Sequence, residues 1–225
     1  METTRQEVEH RAAFVVFVNV ESETSASIWM SFNTNAAKTN GYQWEMFGGK
    51  ATRPDKANPA ATAAREFAEE ALAILKQKKK VSLAQQLKMP DAGSVHGEVT
   101  AEIQQCLACA RDQVWLSQSQ NRVFLVPVDR LPNLGKMVLV ALAGFTGGPK
   151  KAGVLEFRRS ESASPFRLVS DPEKPVRGWV TTILESVAFQ DALAQLVRNE
   201  LVDRLQKASA IAADSTTVPL PPPTS

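Results

Sequence analysis

Two cysteines and two histidines in 225 residues leave this chain little with which to build redox or structural-zinc chemistry. A closed zinc site takes four ligands at set spacings, and His10 and His96 stand at no such spacing from Cys106 and Cys109. The cysteines do form a C-x-x-C. Around it, however, AEIQQCLACARDQVWL sets Ile103, Leu107, Ala110 and Val114 near helical spacing, with no strand before the motif. Both cysteines therefore read as small core or flank residues. So few of them fit a reducing compartment.

Long apolar runs are missing as well. AAFVVFV and MVLVALAGF fall far short of the ~20 residues a membrane helix requires. The N-terminal METTRQEVEHR is charged and contains glutamates, unlike a secretory signal or a transit peptide. A soluble, intracellular and most simply cytoplasmic protein with no membrane partner is expected. A formal net charge of +2 is too mild to argue by itself for nucleic acid or a lipid surface. Neither an internal repeat nor an interior linker is visible.

What the chain does have is an ordinary globular composition, 44% apolar and 22% charged, in a length that needs no disulfide to fold. Arg11–Val20, RAAFVVFVNV, is β-branched and aromatic, and reads as a buried strand; SASIWMSFN (Ser25–Asn33) reads as its neighbour. After the turn-rich NTNAAKTNG, YQWEMF makes a third short strand ending at Gly48-Gly49. Asn58-Pro59 gives a helix start, with nothing to break the helix from Ala60 to Lys80. The lysines at 76 and 78–80 suit its C-terminal end. Met89–Gly97 reads as a loop, Arg122–Val128 as a strand, TGGPKKAG as a turn and VLEFR as a short strand. Lys136–Phe145 is strand or helix on its composition alone.

Trp179–Ala208 reads as one long amphipathic helix with a stripe of Ile183, Val187, Leu193, Leu196, Val197, Leu201 and Leu205. The expected class is α+β, a sandwich of helices on a mixed sheet. The expected organisation is an extension at 1–10, one domain at 11–210 and a disordered Pro/Ser/Thr-rich tail at 211–225.

The chemistry-bearing stretch is WEMFGGKATRPDKANPAATAAREFAEEAL, Trp44 to Leu72. On a helix, Glu66, Glu69 and Glu70 stand at i, i+3 and i+4, so three carboxylates leave one face. Phe67, Ala71 and Ile74 take the adjacent face, which would pack on the sheet. Three like charges so close repel one another, and a divalent cation removes that cost. Mg²⁺ accepts a few carboxylate oxygens together with waters and phosphates. Arg65 can orient a carboxylate, and Gly48-Gly49 lets backbone approach a metal or phosphate. The competing reading is a solvated acidic helix face. Against it, R-E-x-x-E-E arises at a given start only on the order of 10⁻⁵ of the time at average composition.

The segment resembles the signature of the Nudix hydrolases, G-x5-E-x7-R-E-U-x-E-E-x-G-U with U a bulky aliphatic, here Phe67 at the first U. Arg65-Glu66-Phe67-Ala68-Glu69-Glu70 matches its R-E-U-x-E-E core, and WEMFGGK resembles its strand and glycine turn. Counting from Gly49, the first glutamate position holds Asp55; the stretch to Arg65 is two residues longer, and Leu72 replaces the late glycine. The resemblance implies a Nudix-type α/β/α sandwich from Arg11 to about Ala208, with a mixed sheet, the signature helix and a long C-terminal helix. It also implies hydrolysis of a phosphoanhydride in a nucleoside diphosphate linked to another group, in a nucleotide-containing small molecule or a capped RNA. Glu66, Glu69 and Glu70 would hold Mg²⁺ or Mn²⁺, with the Gly49 carbonyl as a further ligand; Arg65, Glu66 and Glu69 would serve catalysis. The resemblance also implies a distal acid as base, for which Glu156 is the candidate, with Glu98 and Glu102 as rivals. Trp29, Trp44 and Trp115 could stack a base, though a buried tryptophan is the commoner outcome. The alternative function is a Nudix-fold RNA- or nucleotide-binding module with little or no catalysis. A homodimer stays open.

Overall fold

The computed structural model describes residues 10–34, 43–55, 57–76, 95–116, 119–144, 150–169 and 174–215. Its sheet is built on β1 (Ala12–Ser22), a strand apolar on both faces. Beside β1 lie β2 (Ser25–Asn33), β3 (Gln43–Glu45) and β4 (Phe47–Lys50). Further along the chain come β5 (Asp112–Leu116), β6 (Asn121–Pro127), β7 (Lys150–Arg158) and β8 (Arg167–Leu168). Strand order along the main path is β5-β6-β1-β2-β7-β8. β1 runs parallel to β6 from Ala12–Val18 against Asn121–Pro127, while its other recorded pairings are antiparallel.

β1 and β2 pair only near their shared hairpin, from Val18–Ser22 against Ile28–Ser25. Beyond it they splay apart. β4 then takes the free edge of β1, Val15 against Phe47, and β3 takes that of β2, Ser31 against Glu45. YQWEMF is therefore two strands rather than one, because the chain changes partner at the buried Met46. The change delivers Gly48-Gly49 to the middle of the sheet.

Alternating residues of β1 divide the core. Ala13, Val15 and Phe17 pack with α1 (Pro59–Lys76), α2 (Val95–Ala108) and α3 (Asn133–Ala143). Phe14, Val16 and Val18 face the opposite way, toward α4 (Gly178–Leu184) and α5 (Val187–Ser215). A mixed α+β chain with helices on both faces of its sheet results. No helix among the described residues is long and apolar enough to cross a membrane.

Several local expectations change. Lys136–Phe145 resolves as helix over Asn133–Ala143, where Leu134, Val138, Leu139 and Leu142 are buried at 3/4 spacing and Val140 is exposed. VLEFR is the end of a nine-residue strand that pairs along the whole of β2. Val95, assigned to a loop, opens α2; positions 77–94, with the lysines at 78–80, lie outside the described residues.

The single C-terminal helix is two helices. Ser186 interrupts it: its hydroxyl accepts the Phe189 N–H (3.3 Å) and caps α5, while Gln190 Nε2 donates to the Leu184 carbonyl (2.6 Å). Val187 and Leu205, both in the expected stripe, are 77% and 69% exposed. α5 continues to Ser215, into the segment expected to be tail; 216–225 lie outside the described residues.

Candidate functional site

α1 starts as its sequence directs, with Asn58 Oδ1 accepting the Ala61 N–H (3.1 Å). Phe67 fixes its height over the sheet: the fully buried ring meets Phe17 at 4.9 Å and Phe47 at 5.3 Å, both edge-on. With that face committed to the core, the neighbouring carboxylates fall beside the glycine pair. Gly48 has φ +140°, and a Cβ there would overlap the Ala13 carbonyl and the Phe14 backbone. Its N–H donates to Glu70 Oε2 (3.3 Å). A Cβ on Gly49 would instead run into the Glu66 carboxylate, which occupies that space.

Arg65 holds the arrangement together. Its Nε donates to Asp55 Oδ2 (3.1 Å), its Nη1 to Glu66 Oε1 (2.8 Å) and Glu69 Oε1 (3.2 Å), and its Nη2 to the Lys50 carbonyl (3.1 Å). Burial alone would lower the Arg65 guanidinium. The hydrogen bonds to Glu66, Asp55 and Glu69 outweigh it and hold the group well above its ordinary value. Asp55 sits at the end of a short 3₁₀ turn, Arg53–Asp55, and is only 7% exposed. Its Oδ1 accepts from the Thr52 hydroxyl (2.7 Å) as well as from the Thr52 N–H. Burial pulls its carboxyl upward, but the bonds from Thr52 and Arg65 dominate and hold it below the usual carboxylate range. Behind the turn, buried His10 Nε2 lies 2.8 Å from Thr62 Oγ1.

The acidic trio is thus brought together in part. Glu66 and Glu70 converge on the glycines, whereas the Glu69 side chain is half exposed and leans on Arg65. Among the described residues no group of three or more His, Cys, Asp or Glu is set to hold a metal ion as the side chains stand. Gly49 itself lies in β4 opposite Ala13.

Glu156 is on β7, opposite Ser27, half exposed and paired with Arg158 (2.9 Å). Since Leu155 and Phe157 belong to the α4–α5 side of the core, Glu156 is on the α1 side of the sheet. Glu98 is exposed in the first turn of α2, and Glu102 Oε2 accepts the Gly135 N–H (3.3 Å). The tryptophans diverge: Trp29 packs on the α1-side core, Trp44 against Phe32 (4.8 Å), and Trp115 lies under the Arg122 guanidinium (4.6 Å). Thr52 is the residue the sequence reading missed, although T-x-x-D ahead of a helix is a short-range signal for the hydrogen bond it makes.

A scan against protein-family models and searches of curated proteins and of solved structures matched nothing.

Two outcomes are expected from this geometry. Gly48→Ala, which meets rigid backbone in a left-handed conformation, should lose about 1–3 kcal/mol of stability by urea denaturation. Gly49→Ala should fold normally while displacing the Glu66 carboxylate, visible as a changed Glu66 side-chain carboxyl shift by NMR. Asp55 supplies a pH signature as well. Its native pKa is depressed, so the stability it adds is complete above about 4 and is lost as pH falls through the lower native value. Asp55→Asn should be less stable than wild type at neutral pH, and the gap should narrow on acidification below about pH 4.

Proposed function

We propose that the chain is a Nudix-type hydrolase that cleaves a phosphoanhydride bond in a nucleoside diphosphate linked to another moiety, using Mg²⁺ or Mn²⁺. The observation that carries this is the meeting of Glu66 and Glu70 with Gly48-Gly49 while Arg65, anchored on Asp55, holds Glu66. Asp55, at the position where the family signature has glutamate, pairs with Arg65 (3.1 Å) across the longer loop.

The donor set suits a hard cation: carboxylate oxygens from one helix face, beside a backbone stripped of Cβ atoms. Glu66, Glu69 and Glu70 would hold the ion, Glu69 giving up its bond to Arg65. When bound there, a divalent cation would offset negative charge on phosphate oxygens and lower the pKa of a water, so that a hydroxide nucleophile would be available near neutral pH. The protein's own share is positional. Arg65 fixes the Glu66 carboxylate, and the Gly48 N–H fixes that of Glu70. Glu156, half exposed on the α1 side of the sheet, is the proposed acceptor of the water proton. Nucleotide-containing small molecules and capped RNA are the substrate classes this chemistry admits, and an intracellular location is proposed with them.

A second reading, a nucleotide- or RNA-binding module of the same fold, is favoured by the engagement of Glu69 with Arg65 and the absence of a ready three-ligand group among the described residues. The two separate in one assay. Incubated with Mg²⁺ or Mn²⁺ and a panel of nucleoside diphosphate derivatives, dinucleoside polyphosphates and capped RNA, the wild type should release a nucleotide product. Glu69→Gln and Glu70→Gln should lose about a hundredfold or more of that rate with unchanged circular dichroism. Binding to RNA without turnover across the panel selects the module.

A further inference from the structure

On the other side of the sheet, far along the chain from the signature, three arginines line one polar cavity of about 580 Å³. Arg111 enters it from the start of β5, Arg159 from the end of β7 and Arg198 from α5. Arg159 is 8% exposed, an unusual depth for a guanidinium. Its position is fixed on three counts. The backbone N–H donates to the Thr24 carbonyl (3.0 Å), Nε donates to the Glu23 carbonyl (2.7 Å), and the guanidinium lies 4.5 Å over the Phe166 ring. One edge and one face of the group are therefore used, and the two Nη donors have no protein acceptor among the described residues.

No ion pair among the described residues compensates these charges. Among the described residues, Arg198 spends one Nη on Gln195 Oε1 (2.9 Å) and makes no ion pair, and Arg111 makes no hydrogen bond or ion pair, feeling Asp112 only at longer range. Burial, followed by repulsion from Arg198, pushes the Arg159 guanidinium below its ordinary value against a weaker attraction from Glu23. Asp112 and Asp191 also line the cavity and moderate its charge, but neither bonds to Arg159 or Arg198. Burial pushes the Asp112 carboxyl up, against the pull of Arg130 and Arg111. Ser162 and Ser164 add hydroxyls at the mouth: Ser162 donates to Glu23 Oε2 (2.6 Å), and Ser164 accepts from Ser160 (3.2 Å). A buried cation held rigid beside a second cation is costly unless an anion answers both.

We infer that this cavity binds a phosphate group, with the Nη edge of Arg159 and the guanidinium of Arg198 as its principal donors and Arg111 as a third. Arginine forks match phosphate oxygens in bidentate geometry, and three of them lining one cavity from three chain segments, two close enough to repel each other, suit an oxyanion. The volume leaves room for more than the ion itself, so the group can be free or carried on a small molecule. The site is independent of the carboxylates on α1 and lies on the opposite face of the sheet.

The test is isothermal titration calorimetry in EDTA, which removes any contribution from a cation at α1. Inorganic phosphate and glycerol 3-phosphate are the probes, at ionic strength matched with chloride. Both should bind the wild type, and whichever binds more tightly identifies free phosphate or a phosphorylated small molecule as the occupant. Arg198→Gln, at an exposed position that should not disturb folding, should weaken binding about tenfold or more. Lys207→Gln, exposed further along α5, should leave it unchanged. The proposal is overturned if neither probe binds beyond the chloride control, if Arg198→Gln binds like wild type, or if Lys207→Gln loses as much as Arg198→Gln. The hydrolase assay is indifferent to all of these results.

Discussion

Arg65 is the side chain on which the geometry of the candidate site depends. Its four hydrogen bonds join three parts of the fold: the 3₁₀ turn through Asp55, the end of β4 through the Lys50 carbonyl, and its own helix through Glu66 and Glu69. A guanidinium can do this because its donors point in fixed directions from one plane, which lysine's single ammonium cannot match. Partial burial makes each bond worth more than it would be in water, and it makes the loss of any partner more costly. Without Arg65, the Gly48 N–H to Glu70 bond would still tie strand to helix and the Thr62 hydroxyl would still reach the Asp55 carbonyl, but no single group would join the turn, the strand and the helix.

The glycine pair completes the same constraint from the sheet side. Because β1 and β2 splay apart, β4 is inserted against β1, and Gly48 passes so close to Ala13 and Phe14 that no side chain fits. Gly49 is different: its missing Cβ leaves space that Glu66 fills. One glycine is thus demanded by the backbone and the next by the site. Such a pairing of a backbone constraint with a side-chain contact at adjacent residues explains why two carboxylates of α1 end at a strand in the middle of the sheet rather than in bulk water.

Much of this could be read in the sequence because it is local. The β1 and β2 runs, the Asn58-Pro59 start of α1 and the 3/4 spacing that buries Phe67, Ala71 and Ile74 are set by near neighbours, and the structure keeps them. What escaped depends on distant partners. Met46 divides one apparent strand because β3 and β4 have different neighbours, and no property of YQWEMF shows that. Ser186 divides the last helix because its hydroxyl finds the Phe189 N–H, although serine inside a helix is unremarkable by composition. Spacing alone groups Glu69 with Glu66 and Glu70, yet Arg65 on the preceding turn competes for it at i+4. The buried Arg159 had no sequence signal at all, since its depth comes from Phe166 folding back across it.

The acidic face of α1 and the glycine pair of β4 are proposed to form together a seat for a divalent cation. A crystal grown with Mn²⁺ and analysed for its anomalous signal tests this most directly. The account predicts a single strong peak within coordination distance, about 2.0–2.3 Å, of carboxylate oxygens from Glu66 and Glu70, beside Gly49. No manganese there, with Glu69 still bound to Arg65 at saturating metal, would contradict it.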